Sequence, residues 1–94
     1  MGSRLSILKV STRQMKAARA LLGWSQQDLA SAAQVSEPTV KRLEAVDGPL
    51  GGRAATVDKL LTAFERAGID FIKENGGGAG VRLRDRRPKK KSTS

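Results

Sequence analysis

The chain has 94 residues, enough for one small domain, and carries 18 Lys and Arg against nine Asp and Glu, a formal net charge of +9. A domain of this size buries only about 60–65% of its unfolded surface, so a partner chain would add stability. The sequence contains no Cys, His or Tyr, which excludes a disulfide framework and a thiol nucleophile and removes the usual general base and commonest metal ligand; we predict no enzyme, no catalytic residue, no cofactor and no metal.

The first ten residues are predicted to form an N-terminal arm or strand. Residues 4–10, RLSILKV, are apolar and partly β-branched, which fits an edge strand or a disordered arm. Their loose alternation favours a short strand. The first clear helix then runs from Ser11 or Thr12 to about Leu22. Ser11 and Gln14 have capping-box spacing, and Gly23 is the expected residue at the helix end. The predicted buried stripe of this helix is Met15, Ala18, Leu21 and Leu22.

Residues 25–44, SQQDLASAAQVSEPTVKRLE, predict two short helices with a tight bend between them. Ser25 caps the first helix, with Asp28 three residues on. Ser36 marks the start of the second helix, and Pro38 falls in its first turn, where a missing N–H is tolerated. The apolar positions lie inward and the polar positions of the second helix lie outward. Two short helices arranged in this way are typical of a helix-turn-helix.

A glycine-rich loop and a fourth helix follow. Residues 46–53 contain three Gly and one Pro, so they predict a loop. The fourth helix starts near residues 54–57, with Thr56 as the expected cap, and Gly68 ends it. The apolar spacing of the fourth helix is the strongest helical periodicity in the chain, through Val57, Leu60, Leu61, Phe64 and Ala67.

The single tryptophan, Trp24, follows the first helix and is expected to pack over the edge of the core.

The last part of the chain changes character. Residues 69–73 and 81–84 alternate with a period near two, around a glycine-rich segment, which predicts a β-hairpin over residues 69–84. Residues 82–91 hold seven basic residues against Asp85, a balance of +6. Residues 85–94 are predicted to form a disordered basic tail. This charge suits a polyanion, and nucleic acid is the best candidate, although solubility or attraction to anionic lipid also fits.

The stretch Gln14–Ala30, followed by Val35–Glu44, resembles the DNA-binding domain of the lambda-repressor/Cro-like (XRE) helix-turn-helix family. The resemblance extends over residues 14–68. It implies a mainly α fold, in which a four-helix lambda-repressor-like domain over residues 11–68 precedes the C-terminal β-hairpin, with a short N-terminal strand as an option. The family also pairs an arginine of the first helix with the glutamate that ends the recognition helix, which implies an ion pair between Arg19 and Glu44 that is structural and not a functional site.

The resemblance implies DNA contacts at individual positions. Arg42 is the foremost reader, because its planar fork suits guanine O6 and N7. Glu37 either accepts from cytosine N4 or repels the backbone. Pro38 departs from the family pattern: it offers only apolar contact, for instance to a thymine methyl, and it is expected to delay the helix start by one residue. For Arg53, phosphate contact and plain solvation remain open. The implied base contacts are Glu37, Pro38, Thr39 and Arg42; the implied phosphate contacts are Ser25, Gln26, Gln27, Ser36, Lys41 and Arg53.

These observations predict a regulator of transcription, in particular a repressor, that binds double-stranded operator DNA as a homodimer. A lone hairpin is marginal in water, so it must pack on the helices or pair with another chain. The expected dimer residues are Ile69, Phe71, Ile72, Val81 and Leu83, with intrachain packing as the alternative. A second reading is a protein-binding module such as an antitoxin or antiactivator, with a protein partner. No apolar run of about 18 residues or signal peptide is seen, so we expect a cytoplasmic, nucleoid-associated protein with no membrane contact.

Overall fold

The computed structural model of the chain describes residues 10–72 and 77–84, which form four helices followed by one antiparallel hairpin. The elements are α1 (Thr12–Leu22), α2 (Gln26–Ala33), α3 (Glu37–Glu44), α4 (Ala54–Arg66), β1 (Ile69–Ile72) and β2 (Gly80–Leu83). This arrangement confirms the predicted mainly α fold. The predicted strand over residues 4–10, apart from Val10, and the predicted tail over residues 85–94 lie outside the described residues. Within the described part of the chain, no helix is both long and apolar enough to cross a membrane.

Reciprocal caps begin the first two helices, as their sequence spacing predicts. The Gln14 backbone N–H donates to Ser11 Oγ at 3.1 Å, and the Ser11 N–H donates to Gln14 Oε1 at 2.9 Å. In α2, the Asp28 N–H donates to Ser25 Oγ and the Ser25 N–H donates to Asp28 Oδ2, both at 2.9 Å. Each box satisfies two N–H groups that a helix start leaves free. Gly23 ends α1 in the left-handed region at φ 70°, where the absence of a Cβ removes the steric penalty.

The bend between α2 and α3 turns on a residue that is not glycine. Gln34 has φ 60°, in the left-handed region, and its N–H donates back to the last turn of α2. Ser36 then caps α3, because its Oγ accepts from the Thr39 N–H at 3.2 Å. The expected late start of α3 is wrong, since the helix begins at Glu37 and Pro38 lies within its first turn. The first-turn N–H groups have no acceptor inside the helix, so proline interrupts no bond there.

The start of α4 also differs from the prediction. The helix begins at Ala54, so the cap position is Arg53 and not Thr56, and Arg53 makes no side-chain capping bond. Thr56 lies inside the first turn, where its hydroxyl is past the position at which it could cap. The local sequence favoured Thr56 by residue type, but the Val57 N–H already donates to the Arg53 carbonyl at 3.0 Å, so the first turn begins before Thr56.

The core lies between α1, α2, α3 and α4, with the hairpin closing one side. Met15, Leu29, Leu60 and Phe64 have no exposed side-chain surface. The prediction that Leu21 belongs to the buried stripe of α1 is wrong, because Leu21 is 47% exposed. The buried cluster consists of Met15, Ala18, Leu29, Ala30, Ala33, Val40, Leu43, Leu60, Ala63, Phe64 and Ile69.

The hairpin is fixed to the helices at both ends. Its strands pair Ile69 with Leu83 and Ile72 with Gly80. Near the loop, the buried side chain of Gln14 donates to the carbonyl oxygens of Ile72 at 3.1 Å and Gly80 at 2.9 Å. At the other end, the Arg84 guanidinium donates to the carbonyl oxygens of Glu65 and Ile69. These side chains fix a two-stranded element that would be marginal by itself.

The segment that enters α1 pairs with the loop that leaves α3. Leu50 N–H donates to the Val10 carbonyl at 2.9 Å, and Thr12 N–H donates to the Gly48 carbonyl at 2.8 Å. The Thr12 hydroxyl donates to the Val46 carbonyl at 2.7 Å. Because these bonds join the start of α1 to the loop after α3, they connect the two ends of the three-helix segment.

Candidate nucleic-acid interface

The packing of α3 determines which of its side chains can meet a ligand. Val40, Leu43 and Glu44 are buried against the other helices. The opposite side of α3 and the N-terminus of α2 remain open to solvent, and we call them together the recognition face. All ten sequence-predicted DNA-contact residues are exposed or half-exposed: Ser25, Gln26, Gln27, Ser36, Glu37, Pro38, Thr39, Lys41, Arg42 and Arg53.

Arg42 is the most available cation on α3. It is exposed, and its side chain makes no hydrogen bond or ion pair to another residue that the structure describes. Lys41, its neighbour, has Nζ 3.7 Å from Glu37 Oε2, an i,i+4 pair on the exposed surface. Such exposed pairs contribute about 0–1 kcal/mol, so Glu37 restrains Lys41 only weakly. The guanidinium of Arg42 can therefore approach a base edge without breaking a contact within the protein.

The two hydroxyl groups at the tip of α3 bind each other. Ser36 Oγ and Thr39 Oγ1 lie 2.7 Å apart, and Ser36 Oγ also accepts the Thr39 backbone N–H. One hydroxyl proton fills the shared bond, so the other is free to donate to an outside acceptor. Pro38 is exposed between them and offers only carbon atoms.

The N-terminus of α2 provides free backbone donors. The capping box uses the N–H groups of Ser25 and Asp28. The N–H groups of Gln26 and Gln27 make no hydrogen bond to another described residue. Free N–H groups at a helix start, with the positive end of the helix dipole, favour an anion. Gln27 is exposed and Gln26 is half-buried.

A buried charge network lies directly behind the recognition face and confirms the ion pair that the resemblance implied. Arg19 Nε and Nη2 donate to the Glu44 carboxylate at 2.7 and 2.8 Å. The same carboxylate accepts from Gln26 Nε2 at 2.9 Å. Burial of Glu44 opposes its ionisation, but hydrogen bonds from Arg19 and Gln26 outweigh that effect and hold the pKa of Glu44 below its ordinary 4.5. The network therefore stays ionised near neutral pH and joins α1, α2 and α3.

Arg53 lies at the start of α4, next to the C-terminal part of α3. The preceding residue, Gly52, has φ +98°, and a Cβ at Gly52 would lie 3.1 Å from Leu43 Cδ2. This close approach brings the loop against α3 and leaves Arg53 exposed, with no ion pair to any residue in the described ranges. A second cation is thus placed beside the recognition helix.

Four of the five residues expected at a dimer seam point toward the helices. Ile69 is 1% exposed and belongs to the core, and Phe71, Val81 and Leu83 are half-buried against the same core. Ile72 is half-buried and, by strand alternation, lies on the other face of the hairpin. Intrachain packing, the alternative left open by the sequence, accounts for this inner face. A dimer role for these residues stays a prediction.

Sequence reasoning missed two sets of contacts that fasten α1 to neighbouring segments. Gln14 was identified only as a helix cap, and its bonds to the hairpin depend on residues about 60 positions away. Arg13 and Asp47 form a two-bond pair at 3.1 and 3.0 Å that fastens α1 to the loop after α3. That pair and its hydrogen bonds lower the pKa of Asp47. Only opposite charge and exposure, which many residue pairs share, could have indicated it.

Comparison with known proteins agrees with this geometry. The family model described as helix-turn-helix matches residues 15–45, which span α1 from Met15 through α3. No match was found among curated proteins. Around α2 and α3, the matched segment contains the capping box, the tight bend and the outward polar face of α3. Residues 15–45 of this chain, from α1 through α3, are therefore similar to the helix-turn-helix family, as the resemblance in the sequence implied.

Proposed function

We propose that the chain is a sequence-specific transcription repressor that binds a palindromic operator as a homodimer, with α3 of each subunit in the major groove. It would act on DNA of the cytoplasm, in association with the nucleoid. The observation that carries this proposal is Arg42, whose exposed side chain is unpaired among the described residues. It lies on α3, the last helix of the segment that matches the helix-turn-helix model. A guanidinium can bond guanine O6 and N7 together, which gives about 1–3 kcal/mol of discrimination.

The surroundings of α3 support docking to the phosphate backbone on either side of the groove. The free N–H groups of Gln26 and Gln27 suit one phosphate. Lys41 and Arg53 supply cations close to α3, and the basic residues 82–91 add sequence-independent attraction. Such contacts set the orientation of the protein, while Arg42, Thr39 and the carbon atoms of Pro38 are left to distinguish bases.

Two neighbouring cations on α3 allow a matched test. Binding sites are first selected from a random DNA pool, and affinity is then measured by gel shift at about 150 mM salt. Arg42→Ala should weaken the selected site about 5–150-fold and relax preference at one or two positions. Lys41→Ala removes the same charge one residue away. It should weaken all sequences equally and reduce the salt slope by about 1.

Two outcomes of this experiment would contradict the proposal at different levels. If the wild-type chain shows no sequence preference at moderate salt, operator binding is wrong. If Arg42→Ala and Lys41→Ala behave alike, the function stands but Arg42 is not the reader. A transcription assay on a promoter with the selected site then tests the direction of control, since an increase in transcript would identify an activator.

For the homodimer, the outer edge of β2 is the surface best suited to pairing. The Arg84 N–H donates to the Gly68 carbonyl, so residues 68 and 84 form a hydrogen-bonded pair. In an antiparallel ladder every second pair is of this kind, so the next hydrogen-bonded pairs are 70 with 82 and 72 with 80. The N–H and C=O groups of Val81 and Leu83 consequently point away from β1. They make no backbone hydrogen bond to the rest of the described chain. An open edge of this kind pairs readily with a second strand.

Charge favours one register for this pairing. If Arg82 were at the centre of the antiparallel pairing between two subunits, the two Arg82 side chains would lie opposite each other, and this like-charge contact is unfavourable. With Val81 opposite Val81 of the partner subunit, Arg82 would instead lie opposite the partner's Gly80. In this register the edge groups of Val81 and Leu83 all find partners. The two recognition helices of the dimer are expected about 34 Å apart, one turn of DNA.

A proline substitution tests the edge. Val81→Pro removes an N–H that the hairpin itself does not use, so the subunit should fold and remain monomeric in sedimentation equilibrium. Val81→Ala loses similar side-chain packing but retains the N–H, and it should still form a dimer. If both variants stay dimeric, the dimer uses another surface.

A further inference from the structure

We propose that Glu44 is a positioning residue for DNA binding, because its carboxylate orients the carboxamide of Gln26 toward a backbone phosphate. The inference rests on the proposed function, in which the start of α2 meets that phosphate. It gives the ion pair between Arg19 and Glu44 a role beyond joining two helices.

The geometry of the carboxylate leaves little freedom. The Glu44 side chain is only 3% exposed and accepts three hydrogen bonds. Oε2 accepts from Arg19 Nε at 2.7 Å, while Oε1 accepts from Arg19 Nη2 at 2.8 Å and Gln26 Nε2 at 2.9 Å. Arg19 is itself fixed, since its Nη1 donates to the Trp24 carbonyl at 2.9 Å. Glu44 and Arg19 therefore each make three hydrogen bonds, and these bonds fix the carboxylate that binds Gln26.

The chemistry of the carboxylate decides which end of the Gln26 amide turns inward. An ionised carboxylate only accepts hydrogen bonds, so it selects the NH₂ end of the carboxamide. One of the two amide hydrogens is used in this bond, and the other remains available. It lies at the same helix end as the unused backbone N–H groups of Gln26 and Gln27. The side chain and the helix start thus offer donors to one anion.

Arg19 makes this arrangement compatible with a phosphate. A lone carboxylate behind the contact would repel the phosphate, whereas the bidentate Arg19 balances its charge. The bond to Glu44 also restricts the Gln26 side chain before DNA arrives. The rotamer entropy is then lost on folding and not on binding, which favours association.

A double-mutant cycle tests the coupling between the network and Gln26. In the wild-type background, Gln26→Ala should weaken operator binding about tenfold, the effect of one hydrogen bond to a charged group. The second background is Arg19→Met with Glu44→Met, which removes one cation and one anion and leaves the net charge unchanged. There, Gln26→Ala should change affinity less than about twofold. An equal loss in both backgrounds would overturn the proposal.

A second ion pair offers a matched control. Arg13→Ala with Asp47→Ala also removes a two-bond pair that joins α1 to the end of the helix-turn-helix. In this background, Gln26→Ala should retain its tenfold effect. If the effect disappears here too, the loss reflects general loosening of the domain, and Glu44 has no specific positioning role.

Side-chain NMR relaxation of the free, unmutated protein provides a test that needs neither DNA nor a stable double mutant. The Gln26 amide should have a high order parameter, near the value of about 0.85 for rigid backbone, and exposed Gln27 should fall below about 0.6. Equal mobility of the two amides would refute the positioning of Gln26. A rigid Gln26 in a protein that binds no operator would instead show that the proposed function is wrong.

Discussion

Replacing Gln14 by Glu exchanges one NH₂ group for an oxygen in a side chain that is 6% exposed, and it should release the hairpin from α1. The Gln14 amide donates to the carbonyls of Ile72 and Gly80 and accepts from the Ser11 N–H. The glutamate retains the bond with Ser11, because that bond uses an acceptor oxygen. At neutral pH it loses both donors and turns a charged oxygen toward two carbonyl oxygens.

The magnitude follows from those contacts. Two hydrogen bonds lost at roughly 0.5–1.5 kcal/mol each give about 1–3 kcal/mol, and the unpaired buried charge brings the expected loss to about 3 kcal/mol. For a domain of this size, that loss lowers the melting temperature by about 12–24 °C. Burial raises the pKa of the new carboxyl above its unfolded value. The deficit relative to wild type should therefore shrink as the pH falls from 7 to 5.

Urea denaturation followed by far-UV circular dichroism measures this difference at both pH values. Gln27→Glu is the matched control, since it makes the same chemical change on an exposed residue of the first turn of α2. It should alter stability by less than about 0.5 kcal/mol, and in the favourable direction, because a negative charge suits a helix start. If Gln14→Glu were as stable as Gln27→Glu at pH 7, the Gln14 contacts would not hold the hairpin.

Three further predictions concern other sites. The pKa values of Glu44, Asp47 and Asp70 are all lowered in the folded chain. These carboxylates therefore stabilise the fold above their ordinary pKa values, 4.5 for Glu44 and 3.8 for the two aspartates, and the stabilisation is lost as the pH falls below those values. Acid titration followed by circular dichroism should show this loss. Arg53→Asp supplies the missing cap of α4, so it should stabilise the fold by about 1 kcal/mol in urea denaturation and yet weaken DNA binding in a gel shift. Gln34→Gly relieves a left-handed backbone at φ 60° and should raise stability by about 0.5–1 kcal/mol by thermal melting, whereas Gln34→Val should lower it.

The parts of the fold that depend on neighbouring residues could be predicted from the sequence. The capping boxes of Ser11 with Gln14 and of Ser25 with Asp28 form within four residues, so their spacing was sufficient. The bend after Ala33 and the hairpin over β1 and β2 were predicted for the same reason. Apolar periodicity likewise located most of the core.

Errors arose where the preference of one residue type did not decide the local structure. Thr56 is a good capping residue, but α4 begins two residues before it, at Ala54, without a side-chain cap. Leu21 fits the apolar stripe of α1 by spacing, although the turn of the helix leaves it 47% exposed. Pro38 disfavours a helical residue before it, and the cap from Ser36 is sufficient to start the helix at Glu37.

The candidate site divides in the same way. The position of Arg42 on an outward face follows from the helical pattern, and the structure leaves it open to solvent. The bond from Gln26 to Glu44 joins residues 18 positions apart, and no spacing rule could indicate it. The same holds for the Gln14 contacts with the hairpin. Residue types therefore indicate which surface binds, while long-range contacts decide how rigidly it is held.

The three aromatic side chains form a row that runs from the end of α1 through α4 to β1. Trp24, after α1, stacks on Phe64 of α4 with ring centroids 5.8 Å apart, and Phe64 meets Phe71 of β1 edge to face at 5.7 Å. Because Trp24 is the only tryptophan, the intrinsic fluorescence of the protein comes from one place in this row. Its emission should respond both when α4 leaves the first three helices and when the hairpin separates from α4. One optical probe, without any label, can thus distinguish a concerted unfolding transition from early loss of the hairpin.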